Sequence, residues 1–404
     1  MSDAVILLGA STRAAAVSAL RAGWAPWCVD LFGDADLERM APVRKVPLAN
    51  YPRALIAALA DAPQGPVIYA GGLDNRPDLV KRIDLPLWGN EANVLRAIRT
   101  PNLWTGCLQT AGIPCPALAE APTSASEPER QAREGQPLAG RSGSDITAER
   151  WLLKPRKSGG GLGIHPYAGQ AFQPRTHFLQ EYIEGVATSA VFLGSDGRAI
   201  LLGVTEQLVG TPWLNAPGFH YAGSIGPLPL DAVAAARWQA LGSALASGFH
   251  LRGLFGVDAI LRDGVPWPVE INPRYTASVE ILERSCKTPF LLWHRSAFEQ
   301  QPTSIAPSTA SAIWGKAVLY ARATFAFPPS GPWEASLADG VDRDETEYAD
   351  IPHAGEIIEQ GRPVLTLFAS GESAAACLAK LREKAEALDR RLWGDAIATS
   401  EVDF

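Results

Sequence analysis

The 404-residue sequence lacks most of the short patterns that would assign it to a common class at once. Its five cysteines include no CxxC pair, which argues against a disulfide framework and favours a reduced, cytoplasmic protein. Its six histidines show no metal-binding spacing, so zinc is not expected. No apolar run reaches the ~18 residues that span a membrane, and the N-terminus is expected to form a strand rather than a signal peptide.

Excess positive charge is also absent, because 43 acidic residues outnumber 36 basic ones, which gives a formal net charge of −7 and a pI of about 5.5. This balance argues against non-specific binding to nucleic acid or to anionic membranes, and we expect neither partner. The chain is 47% hydrophobic and 20% charged, as in ordinary globular proteins. Its length suggests roughly two to three domains of about 150 residues each.

The first 88 residues alternate between apolar strands and helical stretches. Short apolar runs at 4–8, 26–32 and 67–72 are typical of buried parallel strands. We therefore predict a parallel α/β domain over 1–88. Asp30 has the spacing of a dinucleotide-binding acid, but GASTRA is not GxGxxG, so a structural α/β domain is favoured over a dehydrogenase.

The remainder is expected to mix helices and strands around two polar segments. The predicted elements are helices at 91–111, 231–248 and 373–392, strands at 151–154 and 178–183, a hairpin at 253–271, an exposed loop at 119–148 and a linker at 301–310. No internal repeat is visible.

The segment GLFGVDAILRDGVPWPVEINPR, residues 253–274, carries the clearest chemistry. An Asp-Gly turn between two apolar runs predicts a β-hairpin that places Asp258 opposite position 269 or 270. Asp258 and Glu270 should then be cross-strand neighbours, with Asn272 and Arg274 following on the same face as Glu270.

This cluster allows two interpretations. One is a solvated polar face with an Arg274–Glu270 pair. However, two facing acids without a cation destabilise a hairpin, whereas a hard divalent ion removes that cost. Oxygen ligands from Asp258, Glu270 and Asn272, completed by water and phosphate, describe a magnesium–nucleotide site.

Two further segments precede the hairpin. WLLKPRKSGGGLGI, at 151–164, has a glycine run beside basic residues, but the lysines come before the glycines and no Gly-Lys-Ser/Thr follows, so it is not a P-loop. Taken alone, the glycines also fit a flexible loop. FLQEYIEG, at 178–185, fits an ordinary strand that ends in a turn.

Together and in this order, the three segments resemble the ATP-grasp superfamily over about residues 100–290. The resemblance implies that ATP lies between two α+β lobes, with Lys154 on the α-phosphate and Arg274 as the catalytic residue that faces the reacting phosphoryl or acyl group. It implies Mg²⁺, with Mn²⁺ as an alternative, on Asp258, Glu270 and Asn272. The other implied nucleotide contacts are Ser158, Gly159, Gly160, Gly161 and Gly163 over the β- and γ-phosphates, and Gln180, Glu181, Tyr182 and Ile183 around adenine.

Two positions depart from the superfamily pattern. Such enzymes carry an early lysine where this chain has Arg99-Thr100-Pro101, so Arg99 is the candidate substitute. Many members place a ribose-binding glutamate after the hinge glycine, where this chain has Val186-Ala187-Thr188, so Glu184 is the candidate substitute.

The C-terminal stretch 350–373 resembles the β-rich end of biotin carboxylase, and the whole chain is similar to predicted ATP-dependent carboligases related to that enzyme. No Met-Lys-Met is present, so the chain is not a biotin carrier. The resemblance implies an ATP-grasp domain at 89–300, with lobes at about 100–190 and 191–300. It also implies a β-rich domain with a terminal helix at 311–404, and it leaves a homodimer open.

Three functions follow from these patterns. The first is an ADP-forming ligase that joins a small-molecule carboxylate to an amine through an acyl phosphate, in small-molecule or coenzyme biosynthesis. The others are a bicarbonate-activating carboxylase and a non-catalytic nucleotide-binding protein. A structural Arg274–Glu270 pair remains the alternative to a catalytic Arg274. His220 and Tyr221 are candidates for an acceptor pocket, although a surface loop is the favoured interpretation.

Overall fold

A computed structural model describes residues 3–119, 151–299 and 312–394. The predicted linker at 301–310 and all of the predicted loop at 119–148 except Ala119 lie outside these ranges. The helices are α1 Arg13–Arg21, α2 Ala35–Glu38, α3 Arg53–Ala57, α4 Pro77–Val80, α5 Ala92–Ile98, α6 Pro101–Thr110, α7 Ala232–Phe249, α8 Ala277–Cys286, α9 Phe290–Glu299 and α10 Ala374–Trp393. The strands are β1 Ala4–Leu8, β2 Ala25–Asp30, β3 Val43–Lys45, β4 Val67–Tyr69, β5 Leu118–Ala119, β6 Trp151–Pro155, β7 His165–Pro166, β8 His177–Glu181, β9 Val186–Ser195, β10 Arg198–Val209, β11 Tyr221–Gly226, β12 Gly253–Arg262, β13 Val265–Asn272, β14 Ile313–Tyr320, β15 Phe325–Ala326, β16 Tyr348–Ala349, β17 Ile357–Ile358 and β18 Pro363–Gly371.

The first four strands form a parallel sheet in the order β3-β2-β1-β4, here called the N-terminal sheet. Strand β1 is apolar throughout because it lies inside this sheet, and its side chains alternate between two cores. The Asp30 carboxylate accepts hydrogen bonds from the backbone amides of Thr12, Phe32 and Gly33 and from the Thr12 hydroxyl. The parallel α/β prediction is thus confirmed, and Asp30 joins its own loop to Thr12 at the start of α1, which agrees with the structural interpretation.

The predicted helix at 91–111 is two helices, α5 and α6. Pro101 is the first residue of α6, and Thr100 before it is extended, with φ −111° and ψ 91°. A residue before proline avoids helical geometry, so the helix must end and restart there. The break leaves Arg99 at the end of α5, where its side chain reaches the site described below.

Strands β5 to β8 form a small antiparallel sheet in the order β5-β8-β6-β7. Leu152 pairs with Gln180 and Lys154 pairs with Phe178 across the central strands. Leu152 and Lys154 lie two residues apart on β6 and therefore point to the same face. Both line the cavity described below.

The larger sheet has eight strands in the order β13-β12-β9-β10-β11-β14-β18-β16. Its strands come from both sides of the predicted domain boundary at 300–311, because β11 pairs with β14. The division into domains stays a prediction, and the backbone ladder is continuous across it.

Side chains of β9 alternate between two cores, one on each face of the large sheet. Phe192 stacks on Phe255 at 5.1 Å between ring centroids and packs under α7 with Trp238. On the other face, Val191 and Leu193 pack with residues of α8, α9 and α1. Helix α1 thereby holds the N-terminal sheet against the large sheet. The fold class prediction of a parallel α/β part, antiparallel sheets and a terminal helix is confirmed.

Candidate functional site

The hairpin forms as its sequence predicts. Asp263 and Gly264 have φ of 52° and 70°, as the tight turn between paired strands requires, and Asp258 pairs directly with Glu270. The ladder shifts between Asp258 and Ala259, because Ala259 pairs with Pro268. Val269 is therefore an extra residue, a β-bulge, and its carbonyl group turns to other partners.

Lys154 uses that free carbonyl group. Its Nζ donates to the carbonyl oxygen of Val269 at 3.1 Å and to Oε1 of Gln180 at 2.9 Å. Lys154 is buried, and burial lowers its pKa, although Glu270 and Asp258 offset this in part. An ammonium group is thus held at the cavity wall beside two carboxylates.

The two carboxylates of the hairpin have separate partners. Asp258 accepts hydrogen bonds from Nδ2 of Asn272 at 2.9 Å and from Nε2 of Gln207 at 3.1 Å. Glu270 accepts one from Arg99 at 3.0 Å. Burial, and then the charge of Glu270, raise the pKa of Asp258 to about 6. The cost of facing acids, expected from sequence, is present in the structure.

Arg274 points into the same cluster. Its guanidinium group donates to Oδ1 of Asn272 at 3.1 Å and to Oδ2 of Asp74 at 2.9 Å. Arg99 also bonds to Asp74, so this carboxylate joins two arginines. The predicted alternative, a direct Arg274–Glu270 pair, is not formed among the described contacts, because Glu270 pairs with Arg99 instead.

The glycine run at 158–163 with the residues that lead into it from Lys154, here called the glycine loop, closes one side of the site. Gly160, Gly161 and Gly163 have φ between 62° and 78°, which glycine tolerates best. Gly160 accepts a backbone hydrogen bond from Tyr221 at 3.0 Å, and a Cβ at Gly161 would overlap the carbonyl oxygen of Phe219. The loop therefore lies directly on the large sheet.

The remaining loop residues face different neighbours. The carbonyl oxygen of Ser158 accepts a hydrogen bond from Asn75 at 2.8 Å. A Cβ at Gly159 would meet nothing within 4 Å, whereas one at Gly163 would lie 3.0 Å from the ring of Pro155.

The segment FLQEYIEG at 178–185, here called the hinge segment, lines the other side of the cavity. Gln180 is fully buried, and its side chain forms hydrogen bonds with Lys154 and with the carbonyl oxygen of Val269. Ile183 is 4% exposed. Oε2 of Glu181 accepts a hydrogen bond from the backbone of Ala117. Tyr182 is 48% exposed, whereas Glu184 does not line this cavity and instead borders a neighbouring surface pocket together with Glu181 and Tyr182.

These parts surround one cavity of about 240 Å³. It is lined by Lys154, Gly160, Gly161, Gln180, Glu181, Tyr182, Ile183, Tyr221, Asp258, Glu270, Asn272 and Arg274, among others. Arg99 and Ser158 line a smaller adjoining cavity with Glu270 and Lys154. The structure thus brings most of the predicted site residues together, although their roles toward a ligand stay predictions.

The oxygen atoms of this cluster fit Mg²⁺ only if a bound nucleotide supplies further oxygen ligands. Within the described ranges, no group of three or more His, Cys, Asp or Glu side chains could hold a metal ion. Asp258 and Glu270 supply two carboxylates, and the amide oxygen of Asn272 is taken by Arg274. Mg²⁺ usually keeps waters and binds through one or two carboxylates plus substrate phosphates, so the pair fits a nucleotide-bound ion.

Asp74 was not identified from the sequence, and a surface loop was the favoured interpretation for Tyr221. Asp74 follows strand β4, and the only local signal was an acid after a buried strand and two glycines. Tyr221 begins strand β11, lines the cavity and bonds to Ser224 at 2.8 Å, so the surface-loop interpretation is wrong for it.

Comparison with known proteins adds a family to this geometry. Residues 104–278 match the model of the ATP-grasp domain, which spans the small sheet, the glycine loop and the carboxylate hairpin. This region of the chain is similar to the ATP-grasp domain family. The resemblance inferred from sequence is confirmed. Across the described ranges, no helix is long and apolar enough to cross a membrane.

Two curated relatives match over part of their length. An uncharacterized protein of Methanocaldococcus jannaschii is 27% identical over 198 residues, which is 47% of this chain and 41% of that protein. The carbamoyl phosphate synthase large chain of Deinococcus radiodurans is 26% identical over 238 residues, 57% of this chain and 22% of that protein. The chain thus spans less than half the length of these relatives.

Several solved structures share the fold of this protein over nearly the whole chain. L-amino acid ligase from Bacillus licheniformis has a TM-score of 0.64 at 16% identity and covers 95% of this chain and 96% of its own. N5-carboxyaminoimidazole ribonucleotide synthetase from Thermus thermophilus has a TM-score of 0.64 at 15% identity, and the match covers 98% of this chain and 100% of that one. A third match is the biotin carboxylase domain of 2-oxoglutarate carboxylase from Hydrogenobacter thermophilus, which was solved with MgADP and bicarbonate. Its TM-score is 0.66 at 13% identity, and the match covers 94% of this chain and 88% of that one. At these identities the likeness concerns the fold.

Proposed function

We propose that this protein is an ATP- and Mg²⁺-dependent ligase that activates a carboxylate as an acyl phosphate and joins it to an amine. The observation that supports it best is the convergence of Lys154, the glycine loop, Asp258 with Glu270, and Arg274 on one cavity in an ATP-grasp domain. Structural neighbours that are ligases add support from a similar fold.

The reaction has two balanced steps. A carboxylate oxygen of the substrate attacks the γ-phosphorus of ATP, and the bond from that phosphorus to the β–γ bridging oxygen breaks to release ADP. The amine then attacks the carbonyl carbon of the acyl phosphate, the carbon–oxygen bond to phosphate breaks, and the amine proton passes to solvent. Catalysis of this kind depends mainly on positioning and electrostatics.

Each part of the site has a distinct task in this scheme. Lys154 and the glycine loop bind the phosphates, and Gln180 to Glu184 with Arg99 complete the nucleotide contacts. Asp258 and Glu270, with Asn272 beside them, would hold Mg²⁺, which would neutralise charge on the phosphates. Arg274 stabilises the charge on the reacting group, because its planar fork suits both carboxylate and phosphate.

A bicarbonate-activating carboxylase is the second candidate. It is favoured by the likeness to the biotin carboxylase domain, which was solved with MgADP and bicarbonate and covers 94% of this chain. In that case the first attacking oxygen belongs to bicarbonate, and the intermediate is carboxyphosphate.

ADP release with different acceptors separates the candidates. The purified protein is incubated with MgATP and either pairs of amino acids or bicarbonate with an acceptor panel. ADP and phosphate formed only with a carboxylate and an amine support the ligase, and bicarbonate-dependent release supports the carboxylase. Nucleotide binding without ADP release under any condition would support a non-catalytic nucleotide-binding protein and contradict both.

Three further predictions accompany this function. We propose a cytoplasmic location, which agrees with five free cysteines. A homodimer remains a prediction that size measurement in solution would test. The predicted domain ranges 1–88, 89–300 and 311–404 also remain proposals.

A further inference from the structure

A turn of the N-terminal sheet lies against the proposed ATP site. It comprises residues Leu73–Asn75, which follow strand β4 and two glycines. A Cβ at Gly71 would lie 3.8 Å from the guanidinium carbon of Arg274, and one at Gly72 would overlap the hydroxyl of Tyr51. The turn therefore lies within van der Waals reach of the arginine, and Gly72 leaves the room that the hydroxyl of Tyr51 occupies.

Asp74 is the charged group that this turn carries to the site. Its side chain is 1% exposed, and it accepts hydrogen bonds from the backbone of Gly72 at 3.0 Å, from Nε of Arg274 at 2.9 Å and from Arg99. Burial acts to raise the pKa of Asp74, but the two arginines outweigh it and hold the pKa below its ordinary value. A buried, ionised carboxylate between two guanidinium groups fixes the direction of both.

Arg274 keeps hydrogen-bond donors for a ligand, although Asp74 accepts the hydrogen bond from its Nε. Its Nε is bonded to Asp74, and its two terminal nitrogens donate to the carbonyl oxygen of Tyr275 at 3.2 Å and to Asn272 at 3.1 Å. Each terminal nitrogen carries a second hydrogen, and Arg274 lines the cavity. The orientation set through Nε therefore presents donors to an anion in the cavity.

The next residue, Asn75, contacts the glycine loop. Its Nδ2 donates to the carbonyl oxygen of Ser158 at 2.8 Å, while Tyr221 donates to Gly160 on the other side of the loop. Oδ1 of Asn75 is buried and has no hydrogen-bond partner among the described residues. The loop is thus attached at both sides, and one attachment belongs to the N-terminal sheet.

From these contacts, and resting on the proposed function, we infer that Asp74 is a positioning residue for the reacting phosphoryl group. It acts through Arg274 and Arg99, and Asn75 beside it fastens the glycine loop over the phosphates. The N-terminal sheet then completes the ATP site rather than serving only as a support.

The test for Asp74 compares two ligands. Affinity is measured for MgADP, and for MgADP with aluminium fluoride, which takes the place of the transferring phosphoryl group. We expect Asp74→Asn to weaken the fluoride complex about 10-fold or more and MgADP less than about 3-fold. Asp61→Asn is the matched control, because Asp61 precedes strand β4, is exposed and pairs at the surface with Arg44. It should change neither affinity.

The outcomes separate this inference from the proposed function. If the wild-type protein binds the fluoride complex no more tightly than MgADP, the proposed phosphoryl transfer is wrong. If it does bind more tightly and Asp74→Asn behaves like wild type, or weakens both ligands equally, the positioning role is rejected. Asp74→Glu keeps the charge and moves the carboxylate by one methylene, so it gives the same comparison should the asparagine variant fail to fold.

Trypsin tests the role of Asn75 without any turnover. Lys157 is exposed in the glycine loop next to Ser158, and cleavage after it reports how often the loop opens. With MgADP and aluminium fluoride bound, Asn75→Ala should be cleaved there about 5-fold faster than wild type. Asn102→Ala, at an exposed position of α6, should match wild type. Equal cleavage of Asn75→Ala and wild type would refute the fastening role.

Discussion

Replacement of Glu283 by glutamine should change how the stability of this protein depends on pH. Glu283 lies on α8, is 2% exposed, and accepts hydrogen bonds from the hydroxyl of Ser18 at 2.6 Å and the backbone of Phe290 at 2.5 Å. Burial raises its pKa from 4.5 to about 8, although these bonds and Arg21 oppose the rise. The carboxyl group is therefore protonated in the folded protein at neutral pH.

The sign of the effect follows from proton linkage. Between pH 4.5 and about 8, the folded state keeps a proton that the unfolded state has released. The stabilising contribution of Glu283 is complete below pH 4.5 and is lost as pH rises toward 8. Each unit lowers the free energy of unfolding by about 1.4 kcal/mol, which gives about 3 kcal/mol between pH 5.5 and 8.

Urea unfolding at pH 5.5 and 8.0 measures this difference. Glutamine has the same shape, stays neutral, and its oxygen can accept the bonds from Ser18 and Phe290, so Glu283→Gln should lose about 3 kcal/mol less than wild type. Other buried acids, such as Asp36, titrate in both proteins and cancel in the comparison. Glu386→Gln, at a surface pair with Arg382, should keep the wild-type slope. Identical slopes for wild type and Glu283→Gln would refute the reasoning.

Three further predictions concern the ATP site. Glu270→Gln should lower ADP formation by on the order of 100-fold with an unchanged melting temperature, because one of two facing carboxylates loses its charge; full turnover would contradict its assignment to Mg²⁺. Lys154→Ala should weaken binding of a non-hydrolysable ATP analogue about 10-fold or more in calorimetry, since a buried charged donor is removed; unchanged affinity would exclude the phosphate contact. Gly161→Ala should weaken the same affinity about 10-fold, because its Cβ would overlap Phe219, whereas Gly106→Ala, with open space around it, should not. Equal affinities of the two glycine variants would show that the loop does not need this close approach.

The hairpin was predictable because its determinants are local. The Asp263-Gly264 turn fixes the register, and the period of two then places Asp258 opposite Glu270. The break before Pro101 had an equally local signal, the effect of proline on the residue before it. Residues whose partners are close in sequence could therefore be assigned from sequence.

The partners of Arg99, Arg274 and Lys154 could not be predicted in the same way. Asp74 lies 25 residues from Arg99 and 200 from Arg274 along the chain. Tertiary contacts bring the N-terminal sheet to the site, among them the packing of α1 against α8 and α9 and the hydrogen bond from Tyr69 to the carbonyl oxygen of Pro273. The bulge at Val269 depends on how β13 meets β12, and it alone provides the carbonyl group that Lys154 contacts. Such contacts arise from tertiary structure, on which periodicity carries no information.

A crystal structure with a non-hydrolysable ATP analogue and Mg²⁺ would show directly whether the cavity binds the nucleotide as proposed. The prediction is that the triphosphate lies under Gly160 and Gly161, with Lys154 and Arg274 as contacts and the metal between the phosphates and the carboxylates of Asp258 and Glu270. A nucleotide bound elsewhere, or a metal that contacts neither carboxylate, would contradict it.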